Sequence, residues 1–352
     1  MTGLFAFEKP LGAPYLLSHS AGLLPTAARG EFEAHFFTPW AAKPGESWPL
    51  WLNAIDNFRS ALASLLGGRM ADYCPQPNVS AGLFALLSGL TLEKGRDKVV
   101  VSAHAFPSLG FVAQQAERLG FCFELLEGDP ADITIWDAAL TPDVAVVLVM
   151  HVHSNTSVVS PVTEIADLAR ARGIFSIIDV AQSAGILPID VGAWRADALI
   201  GSCLKWLCGG PGAGFLWCPH DLKPLNVGWF SHENPFEFDI RDFRYAPDAR
   251  RFWGGTPSVA SCVLATTGIR TITGIGIETI LRHNRALIAR FDPSDRSGKG
   301  GTLCYKPAEI EKTMAALTAT GCRFDRRDDT LRLSFHIYNT ESDADIVAAC
   351  LT

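Results

Sequence analysis

A lysine and an aspartate in one apolar segment are the residues best suited to chemistry. Lys205 is flanked by a leucine and a tryptophan, and a glycine-rich run, 209–214, follows it. A lysine isolated in apolar surroundings has a depressed pKa, and its amine can act as a nucleophile. Asp179 precedes it and ends the apolar run Ile174–Ile178. The alternative is a lysine at a strand end beside a structural glycine turn, and this segment alone leaves both open.

Strands must position these two residues. Three runs, Ile174–Ile178, Ala196–Gly201 and Gly214–Trp217, are short, apolar and bounded by turn residues, which predicts three strands. Asp179 then lies at the carboxyl end of the first strand, and Lys205 follows the second. The intervening glycines allow the backbone to approach a ligand closely before the third strand begins.

Three pieces of this segment resemble the pyridoxal-phosphate enzymes of fold type I. They are Asp-x-Ala-Gln-Ser-Ala-Gly (Asp179 to Gly185), Ser-x-x-Lys (Ser202 to Lys205) and Gly-Gly-Pro-Gly (Gly209 to Gly212). The resemblance is to the class V aminotransferase family, and most of all to the kynureninases. It implies pyridoxal 5′-phosphate as the cofactor, a Schiff base on Lys205, and Asp179 as the carboxylate that keeps the pyridine nitrogen protonated. It also implies that Gln182 and Ser202 contact the cofactor.

A helix start is predicted between the prolines at 75 and 77 and the apolar run Leu83–Leu92. The N–H groups of a helix start and the helix dipole both favour a bound anion. By itself this is an ordinary helix cap. In the family the corresponding turn holds the cofactor phosphate, which places Val79 and Ser80 in that role.

Two further cofactor contacts follow from the resemblance. Phe106, in a Phe-Pro-Ser run after the predicted strand Lys98–Ser102, matches a phenylalanine that stacks on the pyridine ring, although Leu109 replaces the family aspartate. Ser154, after the predicted strand Val144–Met150, matches the polar residue that contacts the cofactor O3′. His151 and His153 are spaced as metal ligands could be, but no third ligand is near, so no metal site is predicted.

The substrate site is expected to include His19 and Arg332. His19 stands where kynureninases have an asparagine that lines the substrate pocket; a plain loop before the first helix is the alternative. Arg332 begins a run, Arg332 to Thr340, that resembles the family's Arg-x-Ser-x-x-x-Tyr-Asn-Thr, whose arginine grips the substrate α-carboxylate with its planar fork. The nearby charged residues Arg323, Arg326 and Arg327 are expected in a solvated turn.

Two aromatic and glycine-rich motifs imply a homodimer with shared active sites. Gly228 to His232 matches the kynureninase Gly-Trp-Phe-Gly-His, and Arg251 to Thr256 matches its Arg-Phe-x-x-Gly-Thr. In the family these residues reach across the dimer interface. Trp229 and Thr256 would therefore meet the partner's cofactor.

The remaining patterns predict an α/β fold with a mostly parallel central sheet in a large domain and a smaller α+β C-terminal domain. With 352 residues, 48% of them hydrophobic, the chain can bury one large core and a smaller one. The expected division is an N-terminal segment at 1–45, a large domain at 46–255 and a small domain at 256–352. The other predicted elements are helices at 48–66, 109–119, 161–172, 258–290 and 308–320, and strands at 121–127, 301–305 and 332–336.

Composition excludes several classes of partner. A net charge of −7 and a pI near 5.7 argue against nucleic acid or an anionic membrane. No run of 18 or more apolar residues and no secretory signal pattern is present. The nine cysteines are scattered without metal-ligand spacing, which suits a reducing compartment and predicts a cytoplasmic protein.

We interpret the chain as a class V enzyme that acts on a small-molecule L-amino acid. One alternative is a kynureninase-like hydrolase that cleaves kynurenine to anthranilate and alanine; Trp229 and Phe106 favour it, whereas Gln182 and Leu204, in place of a histidine and a phosphate-binding tyrosine, argue against it. A cysteine desulfurase is less favoured because Cys304 falls in a predicted strand. A cofactor-binding protein without turnover is disfavoured because the catalytic residue types are all present.

Overall fold

The computed structural model describes residues 6–9, 12–42 and 44–351, and its largest feature is a seven-stranded sheet. The outer limits of the expected division, residues 1 and 352, lie outside the described residues. The strands are β1 (Tyr73–Gln76), β2 (Lys98–Ser102), β3 (Cys122–Leu126), β4 (Val144–Met150), β5 (Phe175–Asp179), β6 (Ala198–Ser202) and β7 (Gly214–Trp217). Their order across the sheet is β1-β7-β6-β5-β4-β2-β3.

Parallel pairing dominates this sheet. The pairs from β6 through β5, β4 and β2 to β3 are all parallel, whereas β7 runs antiparallel to both of its neighbours. The central strands are almost continuously apolar because helices cover both faces of the sheet. The carboxyl ends of β4, β5 and β6 therefore meet at one edge, where open α/β sheets bind ligands.

Twelve α-helices accompany the strands in the described residues. They are α1 (Ala28–Phe32), α2 (Thr38–Ala42), α3 (Ser47–Leu66), α4 (Val79–Gly89), α5 (Pro107–Gln115), α6 (Ile133–Ala139), α7 (Val162–Ala171), α8 (Val191–Trp194), α9 (Val259–Ile275), α10 (Ile277–Ile288), α11 (Ile310–Ala319) and α12 (Glu341–Cys350). Helices α3, α7 and α9 pack with one core cluster, and α4 and α5 pack with another. Each central strand contributes alternate residues to the two clusters, one cluster on each face of the sheet.

A second, three-stranded antiparallel sheet follows the long helices. It comprises β8 (Leu303–Tyr305), β9 (Asp325–Arg327) and β10 (Thr330–Leu333), in the order β8-β10-β9. With α11 and α12 it encloses a separate apolar cluster around Leu303, Leu317 and Phe335. Two N-terminal residues join this part through single bridges, Tyr15 to Arg323 and Leu17 to Ser334.

This architecture confirms the predicted α/β class with a mostly parallel sheet and a smaller α+β part. The strands β2, β4 and β7 have the predicted limits, and the other predicted elements differ from the observed ones by a few residues. The strands β1 and β9 and the helices α1, α2, α6, α8 and α12 were not predicted. Where the three domains begin and end stays a prediction.

Two further features concern membrane-spanning helices and the state of the cysteines. Within the described residues, no single helix is both long and apolar enough to cross a membrane; α9 and α10 pass such a test only as a pair, and they are bent by 76° at their junction. All nine cysteines are free thiols, and Cys122 is the exposed one.

Helix α9 offers a test of close packing, because it contains one enclosed and one open glycine. A Cβ at Gly268 would lie 2.3 Å from the carbonyl oxygen of Leu207, whereas a Cβ at Gly274 would meet nothing within 4 Å. We expect Gly268→Ala to lower the free energy of unfolding by about 1–3 kcal/mol through overpacking. The matched control, Gly274→Ala, should raise it by roughly 0.5–1 kcal/mol because alanine favours a helix.

Denaturant unfolding of the two variants beside the parent chain measures both values. Equal changes in the two variants would show that Gly268 does not support the backbone at Leu207.

Candidate active site

A cavity of about 570 Å³ opens at the carboxyl edge of the large sheet, beside the β9–β10 hairpin. Ten of the twelve predicted site residues line it: His19, Val79, Ser80, Phe106, Ser154, Asp179, Gln182, Ser202, Lys205 and Arg332. The large sheet, the start of α4, the N-terminal segment and the hairpin all contribute to its wall. The structure thus brings together residues that are more than 300 positions apart in the chain.

Lys205 lies in the turn that follows β6. The turn is closed by hydrogen bonds from the Cys208 N–H to the Lys205 carbonyl oxygen (3.0 Å) and from the Gly209 N–H to the Cys203 carbonyl oxygen (2.7 Å). Burial lowers the pKa of Lys205, the charge of Asp179 opposes this shift, and the nearby Arg332 adds to it. The Nζ atom lies 5.4 Å from the centre of the Phe106 ring. The neutral amine of Lys205 is therefore more accessible than that of an exposed lysine.

Asp179 ends β5 and is buried among apolar residues. Its Oδ1 accepts a hydrogen bond from the Ala181 N–H at 2.9 Å. Burial raises the pKa of Asp179, while this hydrogen bond and the charge of Lys205 act in the opposite direction. A buried carboxylate with unused acceptor capacity is suited to a protonated ring nitrogen.

The start of α4 forms the end of the cavity that faces β7. Asn78 caps the helix by accepting a hydrogen bond from the Ala81 N–H (2.9 Å), which leaves the N–H groups of Val79 and Ser80 without intrahelical partners. A Cβ at Gly214 would lie 2.9 Å from the Asn78 Cα. Only glycine allows β7 to lie this close to the helix start. The backbone N–H groups of Val79 and Ser80 form a cradle at this end of the cavity. Its donors suit a phosphate group.

The other predicted cofactor contacts surround Lys205. Phe106 directly precedes α5 and presents its ring to the Lys205 amine. Gln182 donates a hydrogen bond to the His19 carbonyl oxygen (3.1 Å), so that the amide ties the N-terminal segment to the loop after β5. Ser202, at the end of β6, and Leu204 also line the cavity. Leu204 supplies no hydroxyl at the position of the kynureninase tyrosine.

Arg327 reaches the cavity, and its predicted placement in a solvated turn was wrong. Its Nη1 donates a hydrogen bond to the Ser154 Oγ at 3.0 Å, and Arg332 Nη1 donates to the Ser154 carbonyl oxygen at 3.1 Å. The prediction missed this because Arg327 lies in β9, whose alternate residues face inwards, while the exposed Arg326 behaves as expected. The signal available in the sequence was the two-residue alternation of a strand, which places Asp325 and Arg327 on one face and Arg326 on the other.

Asp325 is a second site residue that the sequence did not indicate. Its Oδ1 accepts a hydrogen bond from Arg332 Nε (2.8 Å), its Oδ2 contacts Arg332 Nη2, and His19 Nε2 lies 3.1 Å from the same Oδ2. Burial alone would raise the pKa of Asp325, but the adjacent His19 and Arg332 side chains hold it at about 2. Burial also lowers the pKa of His19, whose Nδ1 is bonded to the Ser334 Oγ at 2.7 Å.

Trp229 and Thr256 are not part of this cavity. The Trp229 Nε1 donates a hydrogen bond to the Thr256 Oγ1 at 3.2 Å; Trp229 is half-buried and Thr256 is exposed. His151 and His153 are buried near the sheet edge, and burial lowers the pKa of each to about 4. No group of three metal-ligating side chains occurs in the part of the chain that the structure describes.

The family model described as aminotransferase class V matches residues 80–325. The chain belongs to the class V aminotransferase family. It is 29% identical to a kynureninase of Deinococcus radiodurans over 94% of this chain and 86% of that protein. It is 26% identical to an uncharacterised aminotransferase, YcbU, of Bacillus subtilis over 85% of this chain and 83% of that protein.

A solved structure with the same fold is the apo cysteine desulfurase of Thermococcus onnurineus NA1. It superposes with a TM-score of 0.83 at 21% identity and covers 96% of this chain and 93% of that one. The predicted family and fold type I architecture are thereby confirmed, and the class V chain is an enzyme. The role of each residue in the cavity stays a prediction.

Proposed function

We propose that this class V enzyme uses pyridoxal 5′-phosphate to act on a small L-amino acid, with Lys205 as the residue that carries the cofactor. The observation that supports this most directly is the convergence of Lys205, Asp179 and the start of α4 on one cavity. The cofactor supplies an electron sink for a carbanion next to the amino group. An acidic group, a lysine and an anion cradle are the three features that such a cofactor needs.

The residues present fit the cofactor. The N–H groups of Val79 and Ser80 would hold its phosphate, and the approach that Gly214 allows keeps this cradle open. Phe106 would cover one face of the ring, and Asp179 would pair with the ring nitrogen. Gln182, Ser202 and Ser154 are the remaining polar groups proposed to touch it.

Lys205 is also the group best placed to move a proton at the substrate. Because burial lowers the pKa of Lys205, its Nζ can exist as a neutral amine at a less alkaline pH than an exposed lysine. Phe106 lies beside Nζ and would limit the access of water to this proton. Asp179 is held in place by the Ala181 N–H and carries the compensating negative charge.

A kynureninase-like hydrolase is the second candidate. It is favoured by the similarity to a kynureninase over almost the whole chain and by the run Gly228 to His232. Leu204 argues against it because it supplies no phosphate-binding hydroxyl. A cysteine desulfurase is disfavoured further, since Cys304 lies within β8 and burial raises the pKa of its thiol to about 11.

The reaction can be assigned by mixing the holoenzyme with a panel of L-amino acids, kynurenine included. We expect an L-amino acid to convert the cofactor absorbance to that of the amine form, which indicates transamination. Release of anthranilate from kynurenine would instead assign the hydrolase. If no L-amino acid changes the spectrum, the proposal that the enzyme acts on amino acids is wrong.

Lys205 should carry the cofactor covalently. Borohydride reduction makes the attachment permanent, and peptide mapping should then find the label on Lys205, because its amine is buried in the cavity and its pKa is lowered. Lys98 provides an internal control, since it is paired with Glu124 and Asp143 on the surface. Label on Lys98 or Lys223 would contradict the assignment.

We also propose that the enzyme is a cytoplasmic homodimer with shared active sites. Trp229 and Thr256 lie outside the cavity of their own chain, as residues that serve a partner's site would. Next to them is an exposed apolar surface at Phe238 (71% exposed) and Ile240 (98% exposed). Sedimentation should give twice the chain mass, and a monomer that keeps full cofactor affinity would contradict the shared sites.

A further inference from the structure

Three charged side chains of the β9–β10 hairpin lie on one face. Asp325 and Arg327 are two residues apart in β9, so their side chains point to the same side of the sheet. Arg332 of β10 is the direct cross-strand partner of Asp325. The face turned towards the cavity therefore carries two guanidinium groups and one carboxylate.

Arg332 is already engaged by this carboxylate. Its Nε and Nη2, which form the side-on fork of the guanidinium group, both contact Asp325, and its Nη1 donates to the Ser154 carbonyl oxygen. Asp325 remains ionised at any ordinary pH because its pKa is held at about 2. The pair is thus close to neutral, and Arg332 keeps two of its five N–H donors for a ligand.

Arg327 differs in having no such partner. Its Nη1 donates to the Ser154 hydroxyl oxygen at 3.0 Å; the charges of Asp325 and Asp328 attract it, but within the described residues no carboxylate oxygen lies at ion-pair distance from it. It is half-buried and lines the same cavity as Lys205. Because Ser154 is bonded to both arginines, the two guanidinium groups are neighbours at the cavity wall.

We propose that Arg327 determines binding of the substrate carboxylate by supplying its counter-charge, while Arg332, neutralised by Asp325, orients that carboxylate through its remaining N–H donors. This rests on the proposed function, in which the substrate is an L-amino acid. A carboxylate that leaves water needs a compensating charge as well as hydrogen bonds. The neutral pair provides the hydrogen bonds, and Arg327 provides the charge.

Affinity for a matched pair of ligands tests this assignment. L-alanine and ethylamine differ by one carboxylate, and calorimetric titration of the holoenzyme measures the Kd of each. We expect Arg327→Gln to raise the Kd for L-alanine roughly 10- to 100-fold, the loss typical of a charged hydrogen bond, and to leave ethylamine unchanged. The control is Arg326→Gln, which removes the neighbouring guanidinium, paired with Glu311 on the outer face, and should change neither Kd.

A second substitution separates the effect of the charge from the effect of changing the side chain. Arg327→Lys keeps the charge and should retain most of the affinity for L-alanine; a Kd as high as that of the glutamine variant would overturn the role of charge. Unchanged L-alanine binding in Arg327→Gln would likewise overturn the proposal and leave Arg332 as the carboxylate site. Equal losses for L-alanine and ethylamine would make Arg327 structural.

The role of Asp325 has its own test. In an Asp325→Asn background the pair becomes positive, so that Arg327→Gln should raise the Kd for L-alanine less than it does in the parent enzyme. The same fold-increase in both backgrounds would contradict neutralisation by Asp325. If the parent enzyme binds neither L-alanine nor any other amino acid of the panel, the proposed function itself is wrong. That result differs from one in which the parent enzyme binds L-alanine and Arg327→Gln has no effect.

Discussion

Close backbone packing around the turn at residues 205–207 is the constraint on which the site depends. Three glycines from distant parts of the chain approach three consecutive carbonyl oxygens, with no room for a Cβ. A Cβ at Gly22 would lie 2.3 Å from the Lys205 oxygen, one at Gly185 would lie 2.7 Å from the Trp206 oxygen, and one at Gly268 would lie 2.3 Å from the Leu207 oxygen. The N-terminal segment, the loop after β5 and helix α9 thus hold the lysine backbone from separate directions. A reactive side chain on a turn needs such support, because a turn alone is one of the more mobile parts of a fold.

Charge is the second constraint, since the cavity holds three cationic side chains that are partly removed from water. Burial lowers the pKa of both Lys205 and Arg327; the charge of Asp179 opposes this shift at Lys205, and the charges of Asp325 and Asp328 oppose it at Arg327. Asp179 faces Lys205 from the sheet, and Asp325 pairs with Arg332 on the hairpin. Removing one partner of a buried ion pair costs about 3–5 kcal/mol, so each carboxylate is needed for its own cation. Arg327 is left as the cation whose charge a ligand can satisfy.

The sequence was sufficient to predict the groups that depend on parallel strands. Asp179 and Lys205 each follow an apolar run, and parallel strands bring their carboxyl ends to one edge, so that spacing alone places them together. The start of α4 was predictable from the prolines and the cap residue. Strand β1 was not, because Pro75 argues against a strand; the structure accommodates it at the edge of the sheet, where β1 has one neighbour.

The hairpin residues were harder to predict for a physical reason. Five successive charged residues, 325–329, suggest a solvated turn, and the antiparallel register that turns Asp325 and Arg327 inwards depends on pairing with β10. Their partners, His19 and Ser154, lie far away in the chain, so that no local pattern contains the contact. Long-range ion pairs of this kind are specified by the packing of the two sheets rather than by a motif.

The two sets of residues also differ in what they can contribute to catalysis. Lys205, Asp179 and the start of α4 would serve any reaction that uses the cofactor, because they would act on its aldehyde group, ring nitrogen and phosphate. His19, Arg327 and Arg332 approach the same cavity from the N-terminal segment and the hairpin, and we propose that they contact the substrate. Among enzymes of this family, we therefore expect differences in substrate to accompany differences in the hairpin and in the segment around His19, while the residues at the sheet edge stay the same. In this enzyme Asp325 joins His19 to Arg332, so a change at any one of the three alters the charge that the others present to the substrate.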